Sequence, residues 1–264
     1  MLNDHAWSQL YFRPEGYRAI LRFARECGYS LTNFKNFSLA ETQPRLLLRH
    51  DLDHSIRSAR VIAALEQAEG VTATYFVQIA CPFYNLLAPE SRGILREITA
   101  MGHEIGLHYE AARYLGDDGA AHLRCDLQLL EDIAEQKIVS ASQHVPIASA
   151  TIVLPEYLQE AYAPRFTQAP MSYISDSLMA WRQARPHELI QQRQSFQLLT
   201  HPMKWSQACD SLTRALQFAR DEECRVIQAN YHQIAETYAE LLRQRERLDR
   251  EFIAKRQVVV EAGR

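Results

Sequence analysis

Arg45-Leu46-Leu47-Leu48-Arg49-His50-Asp51-Leu52-Asp53-His54 is the stretch on which the fold turns. It runs from apolar residues into a cluster of carboxylates and imidazoles, and a helical pattern follows at once over 55–69. Side chains two apart on a strand share a face, so Asp51 and Asp53 point the same way. Like charges this close repel, and burying them is unfavourable unless a cation or a proton lies between them. A divalent metal answers that electrostatic problem. His50 and His54 fall on the opposite face while the extended geometry persists, which makes His50 a packing or hydrogen-bonding residue.

Outward from this stretch, strand and helix patterns alternate. Leu46 to Arg49 reads as extended, Ser55 to Glu69 as helical, Thr72 to Ile79 as extended and Pro89 to Met101 as helical. Glu104 to His108 is extended again, followed by an amphipathic helix from about Ala120 to Glu135. Further extended candidates are Ile138 to Ser142, Ser149 to Leu154, Ser172 to Ser175 and Phe196 to Thr200. Residues 1–42 form a helical lead-in, with Pro14-Glu15-Gly16 opening a helix and a loop from Gly28 to Pro44. Such alternation predicts an α/β architecture with a largely parallel sheet, open or closed into a barrel. In parallel sheets the chemistry gathers at the carboxyl ends of the strands.

The 264 residues, 47% hydrophobic and 23% charged, suffice for one large domain or two small ones with a real core. A formal charge of -3 gives no electrostatic footprint for nucleic acid or an anionic membrane. The amino terminus lacks the basic start and apolar stretch of a signal peptide, and no run approaches membrane-spanning length, so a cytoplasmic location is expected. The cysteines are 5 in number and widely spaced, and read as reduced structural thiols.

The carboxyl-terminal region differs in kind: neither glycine nor proline occurs between Pro202 and Gly263. Ile227, Ile234, Leu241 and Leu248 recur every seven residues, with Tyr231, Tyr238 and Phe252 on the partnering positions and Arg245 interrupting them. This predicts a long helical extension over 206–264, beyond a first domain over 1–205. Its seam serves either self-association into a homo-oligomer or packing along the domain.

Three further motifs close apolar runs. Gly102-His103-Glu104-Ile105-Gly106-Leu107-His108-Tyr109-Glu110 places His108 on one strand face with Glu104 and Gly106, and His103 on the other. Two such histidines cannot chelate one metal from a regular strand, so His108 is the candidate ligand and His103 a structural imidazole. Ser172-Tyr173-Ile174-Ser175-Asp176 ends in an acid, and Phe196-Gln197-Leu198-Leu199-Thr200-His201-Pro202 ends in a histidine held against a proline, as suits a positioned acid or base. Singly, each motif has a plainer reading: an Asp ahead of a helix caps it, and a His before Pro terminates a strand.

The ordered set Asp-x-Asp, Gly-His-Glu-Ile-Gly-x-His, Asp-Ser with a following Trp, and Leu-x-x-His resembles the polysaccharide deacetylase superfamily, carbohydrate esterase family 4. The resemblance is to the branch whose first motif reads Arg-His-Asp-x-Asp, and it covers roughly residues 45–205. It implies a distorted (β/α) barrel and metal-dependent removal of N-acyl groups, acetyl or formyl, from an amino sugar or glycan precursor. By motif position it implies Asp51 as general base, Asp53 and His108 as ligands of a divalent metal, most simply Zn2+, and His201 as general acid. Asp176 then supports the base or the acid, while Tyr109, Trp181 and Trp205 are candidates for the substrate groove.

Two departures stand out. Ala112 occupies the position where the family's second motif usually carries another histidine, and the family's third motif, an Arg followed by Pro, has no match. A zinc site usually wants three protein ligands and a water. His54, Glu110 and His144 are the candidate substitutes, with His144 preferred because it follows a strand end of its own. The alternative is a catalytically impaired carbohydrate-binding or scaffold protein on the same fold.

Overall fold

The structure, a computed structural model, describes residues 2–38, 40, 42–146 and 152–262, with side chains as far as residue 251. Strand β2 (Arg45–Leu52) is buried at every position, as a strand is when both sheet faces are covered. β8 (Ser195–Thr200) pairs along one edge, and β1 (Ser30–Thr32) followed by β3 (Thr74–Val77) along the other. From β3 the sheet continues through β4 (Glu104–Tyr109) and β5 (Ser140–Gln143) to β6 (Gln159–Glu160), and beyond β8 lies β7 (Met171–Ser175). Every pair is parallel. Among the described residues no pairing joins β6 to β7, so the sheet is an open half-barrel. Helices α1 (Asp4–Leu10), α2 (Pro14–Glu26), α3 (Ile56–Ala68), α4 (Pro89–Ala100), α5 (Gly119–Ala134), α6 (Pro164–Thr167) and α7 (Pro186–Gln191) complete this α/β architecture.

The alternation in the sequence therefore corresponds to real elements, with differences at short strands. β1 lies within the stretch expected to be loop, and the two-residue β6 has no sequence signal of its own. Strands of two or three residues show no period; they exist because a neighbour offers an open edge of backbone donors and acceptors. Of the extended run expected over 149–154, residues 149–151 lie outside the described residues, and 152–154 form no strand.

Strand alternation sorts β2 cleanly. Leu46, Leu48 and Leu52 join the core shared with α2 and α3, while Leu47 joins Phe34, Phe76, Phe166 and Met171 in a separate interior cluster. The Phe34 ring meets Phe76 and Phe166 edge-on at 5.4 and 4.8 Å, filling the interior beside β2 and β3. At the first residues of β3, β4 and β5, the buried Glu104 accepts from the Thr74 and Ser140 hydroxyls, each at 2.6 Å, and from the Lys35 amide at 2.8 Å. Burial raises its pKa. Gly106 leaves room for this packing: a Cβ there would lie 2.4 Å from the Phe76 ring and 2.8 Å from Ser140 Oγ. Gly106→Ala is expected to destabilise by about 1–3 kcal/mol through overpacking. Thermal unfolding checks this, and an unchanged midpoint would refute the packing role.

On the other face of β2, the fully buried Glu66 of α3 accepts from the Tyr17 and Tyr75 hydroxyls, both at 2.5 Å, and from His50 Nε2 at 2.8 Å. His50 Nδ1 meets Thr200 Oγ1 at 2.7 Å, tying β2 to β8 beside the site. His103 bonds the Ala63 carbonyl at 3.0 Å and the Ala73 amide at 3.2 Å. Both imidazoles thus face away from the strand-end acids, with their ring nitrogens engaged elsewhere.

The chain divides into two compact units, Met1–Ala219 and Arg220–Arg264. A single helix, α8 (Leu212–Ala262), begins in the first, where Ala215 and Ala219 pack with Met203 and Cys209. Among the described residues no helix is long and apolar enough to cross a membrane.

Candidate metal centre and active site

Five strand ends deliver the site. β2 brings Asp51 and Asp53, β4 brings His108, and the residues directly after β5, β7 and β8 are His144, Asp176 and His201. Parallel pairing puts these ends on one side of the sheet. Asp51, Asp53, His108, His144 and His201 line one cavity of about 510 Å³, together with Tyr162 and Tyr173 among others.

Donor atoms of Asp53, His108 and His144 lie within 4.8 Å of one another, close enough to share an ion. His108 Nε2 is 3.1 Å from Asp53 Oδ1, and His144 Nε2 is 3.9 Å from Asp53 Oδ2. The other nitrogen of each ring is engaged: His108 Nδ1 donates to the Ser142 carbonyl at 2.9 Å, and His144 Nδ1 pairs with Glu110. Such partners fix the tautomer and leave each Nε2 lone pair facing the centre. The donor set, two imidazoles and a carboxylate, therefore fits a divalent ion with one position left open. Of the other candidate substitutes, Glu110 orients His144, while His54 packs against Phe83 in a tilted pair with ring centroids 4.9 Å apart and belongs to no converging group of donors among the described residues. Ala112 is exposed, in the short 3-10 turn Ala111–Tyr114.

Asp51 has a different partner. Arg49 grips it in a fork, Nε to Oδ1 at 2.9 Å and Nη2 to Oδ2 at 2.7 Å. The guanidinium also donates to Gln197 Oε1 at 3.0 Å and to Ser142 Oγ, and lies 4.4 Å from the Tyr162 ring centroid. Burial alone would raise the Asp51 pKa; the Arg49 charge more than offsets this and holds the carboxyl below its ordinary value. Each carboxylate oxygen keeps a second lone pair, so the fork does not exhaust Asp51 as an acceptor. Asp51 Oδ2 stands 3.6 Å from His108 Nε2, beside the three-donor group.

Opposite, His201 Nε2 reaches to 3.3 Å from Asp53 Oδ2, while its Nδ1 bonds Asp176 Oδ1 at 2.5 Å. Asp176 is fully buried and also accepts from the His201 amide at 2.9 Å, Trp205 Nε1 at 2.8 Å and Lys204 Nζ at 3.2 Å. Burial opposes ionisation of Asp176, but the His201 and Lys204 charges win and hold its pKa at about 2. Burial likewise opposes charge on His201, yet Asp176 pushes it up to about 9. Asp176 thus favours the imidazolium form of His201, which lines the cavity.

Three aromatic expectations are corrected. Trp205 has no exposed surface and anchors Asp176 from behind, so it cannot contact a substrate. Trp181 packs on Phe12 and Trp205, each with ring centroids 6.2 Å apart, and its chain neighbours Arg182 and Gln183 line the cavity instead. Tyr109, one residue past the inward His108, falls on the outer face beside Tyr114. Tyr162 and Tyr173 supply the aromatic wall. Arg49 belongs to the Arg-His-Asp-x-Asp motif, and the alternation that aligns Asp53 with Asp51 also aligns Arg49 with both, but its contact with Asp51 is not marked in the sequence. Lys204 had no signal beyond its place after His201.

No family model matches the chain, and no curated protein matches it. Solved structures do. The chitin deacetylase from the fungal pathogen Colletotrichum lindemuthianum is 16% identical over 73% of this chain and 86% of that one, with a TM-score of 0.44. A family 4 carbohydrate esterase from Bacillus anthracis is 15% identical over 76% and 83%, with a TM-score of 0.40. A CE4 family pseudoenzyme, also from Bacillus anthracis, is 14% identical over 72% and 66%, with a TM-score of 0.39. The second and third of these carry the name of the family that the motifs resemble. At such identities and TM-scores the chemistry of this chain rests on its own side chains.

Proposed function

We propose that this chain is a metal-dependent hydrolase that removes an N-acyl group, acetyl or formyl, from an amino sugar or glycan precursor. The observation that carries the reading is that Asp51, gripped by the Arg49 fork, and His201, bonded to Asp176, line the same cavity as the Asp53, His108 and His144 donors. A divalent ion bound there, with Zn2+ the best match to the donor set, would supply electrophilic activation of the acyl group and of water. Asp51, kept ionised by Arg49, accepts the proton of the attacking water. His201 delivers its Nε2 proton to the nitrogen as the C–N bond breaks, so that a neutral amine departs. Asp176 compensates the imidazolium beforehand, and its four donors keep the ring from turning. Tyr162 and Tyr173 in the cavity lining give it aromatic surface for a sugar.

The test is metal analysis of the purified chain, followed by release of free amine from a panel of acylated amino sugars. Near-stoichiometric divalent metal and amine release are expected, and His144→Ala is expected to lower metal occupancy at least tenfold. Full occupancy in His144→Ala would remove it as the third ligand.

Ala112 favours a second reading, an impaired carbohydrate-binding or scaffold protein, because it stands where the resemblance expects a histidine. A chain that stays metal-free after reconstitution with zinc, and releases no amine, would establish that reading over the first.

A further inference from the structure

Lys204 is a lysine in an unusual place. It closes the short 3-10 turn Pro202–Lys204 that follows His201, and it is only 4% exposed. Lysine is almost never this buried unless it is paired. Among the described residues Asp176 is the one acid paired with it: Nζ donates to the Asp176 carbonyl oxygen at 3.1 Å and to Oδ1 at 3.2 Å. The Lys204 amide donates to the His201 carbonyl at 2.9 Å, so the turn ties the lysine to the imidazole it stands beside. Nζ is 3.2 Å from His201 Nδ1, whose proton is engaged with the same Oδ1.

One buried carboxylate therefore sits between two cations. The charge count shows why both are needed. When His201 gives its Nε2 proton to the leaving nitrogen, the ring becomes neutral. With His201 neutral, Asp176 would have only the Trp205 N–H, the His201 amide and an uncharged imidazole as partners, and a buried carboxylate without a counter-charge is strongly unfavourable. That state would oppose proton delivery. Lys204 leaves Asp176 paired before and after the step. Before it, the two like charges 3.2 Å apart repel, which favours release of the mobile proton.

We propose that Lys204 is a positioning residue for proton delivery: it keeps Asp176 paired while His201 passes from imidazolium to imidazole, so that the ring holds its place and its proton leaves. The role rests on the proposed hydrolysis. In the step, the His201 Nε2–H bond breaks, an N–H bond forms on the departing nitrogen, and that nitrogen keeps the electron pair of the C–N bond. Lys204 retains its own protons throughout.

Lys204→Met keeps the length of the side chain and removes its charge. On an acylated amino sugar kcat is expected to fall about 10–100-fold with KM within about twofold of wild type. Metal content should not change, because Lys204 is outside the three-donor group. Lys204→Met with Asp176→Asn leaves neither charge stranded, and its kcat is expected within about threefold of Asp176→Asn alone, since residues that act as a unit do not add. A lysine that only supported the fold would move KM and metal content together with kcat, and its loss would multiply that of Asp176→Asn. Thermal unfolding shows which variants are folded at the assay temperature; if Lys204→Met is not, the double variant carries the comparison with Asp176→Asn. A folded Lys204→Met with wild-type kcat, a loss confined to KM, or multiplied losses in the double variant would each overturn the role of Lys204. A metal-loaded wild-type chain that releases no amine overturns the proposed hydrolysis itself, and proton delivery with it.

Discussion

Asp51→Asn is expected to lose about 10²–10⁴ in turnover on an acylated amino sugar while keeping its bound metal. That corresponds to roughly 3–6 kcal/mol of barrier. Asparagine keeps the shape of the residue and one oxygen toward Arg49, but it cannot hold the proton of a water. The three-donor group does not include Asp51, so the ion stays when the base goes. Paired measurement of metal content and amine release makes the distinction. Turnover close to wild type would remove Asp51 as the base, and loss of metal would make it a ligand.

Arg49→Met produces the second large effect, chiefly in stability. The guanidinium is fully buried and Asp51 only 3% exposed, so removing the cation leaves a carboxylate unpaired in a poorly solvated place. Breaking such a pair costs roughly 3–5 kcal/mol. The sign of the pH dependence follows. In the wild type the folded Asp51 pKa is lowered, so the pair contributes above the ordinary 3.8 and that contribution fades as pH falls toward the lower folded value. Without Arg49, burial raises the pKa instead, and the variant does best when Asp51 is protonated. The deficit should therefore be large at neutral pH and shrink in acid. Thermal unfolding from pH 7 downward measures it; a deficit that does not change with pH would show that lost packing, not charge, is responsible. The double change Arg49→Met with Asp51→Leu should recover stability without activity, because an apolar pair leaves no unpaired charge.

The Arg49 fork also bears on the family resemblance. The motif scheme looks for an arginine ahead of a proline in a third motif and finds none. The structure shows a guanidinium on the strand-end acid Asp51, supplied by Arg49 two residues upstream on the same strand. His144 is comparable: a donor from the end of β5 lies beside Asp53 and His108, although Ala112 stands in the motif position.

The cavity residues differ in how far local sequence could reveal them. Asp51, Asp53 and His108 were readable because a period of two decides which side chains share a face once a strand is recognised. His201 and Asp176 were readable as residues that end apolar runs. Their contact was not, because it crosses from β7 to β8 and depends on the register of Ser175 with Leu199. The tryptophans misled for a related reason. An aromatic after a strand end can turn toward the cavity or into the core, and Trp205 lies in the core with its N–H on the buried Asp176.

Hydrophobic periodicity and strand-end chemistry, both local, determined by themselves the alternating α/β order, the long carboxyl-terminal helix with its seven-residue stripe, and the face shared by Asp51 and Asp53. Tertiary structure alone decided what pairs with those acids: Arg49 with Asp51, and the histidines of β4 and β5 with Asp53. It also decided that the sheet stays open among the described residues and that Trp205 faces Asp176. The physical reason is that pairing energies for buried charges depend on distance and desolvation, and both are set only when strands far apart in the chain have been brought side by side.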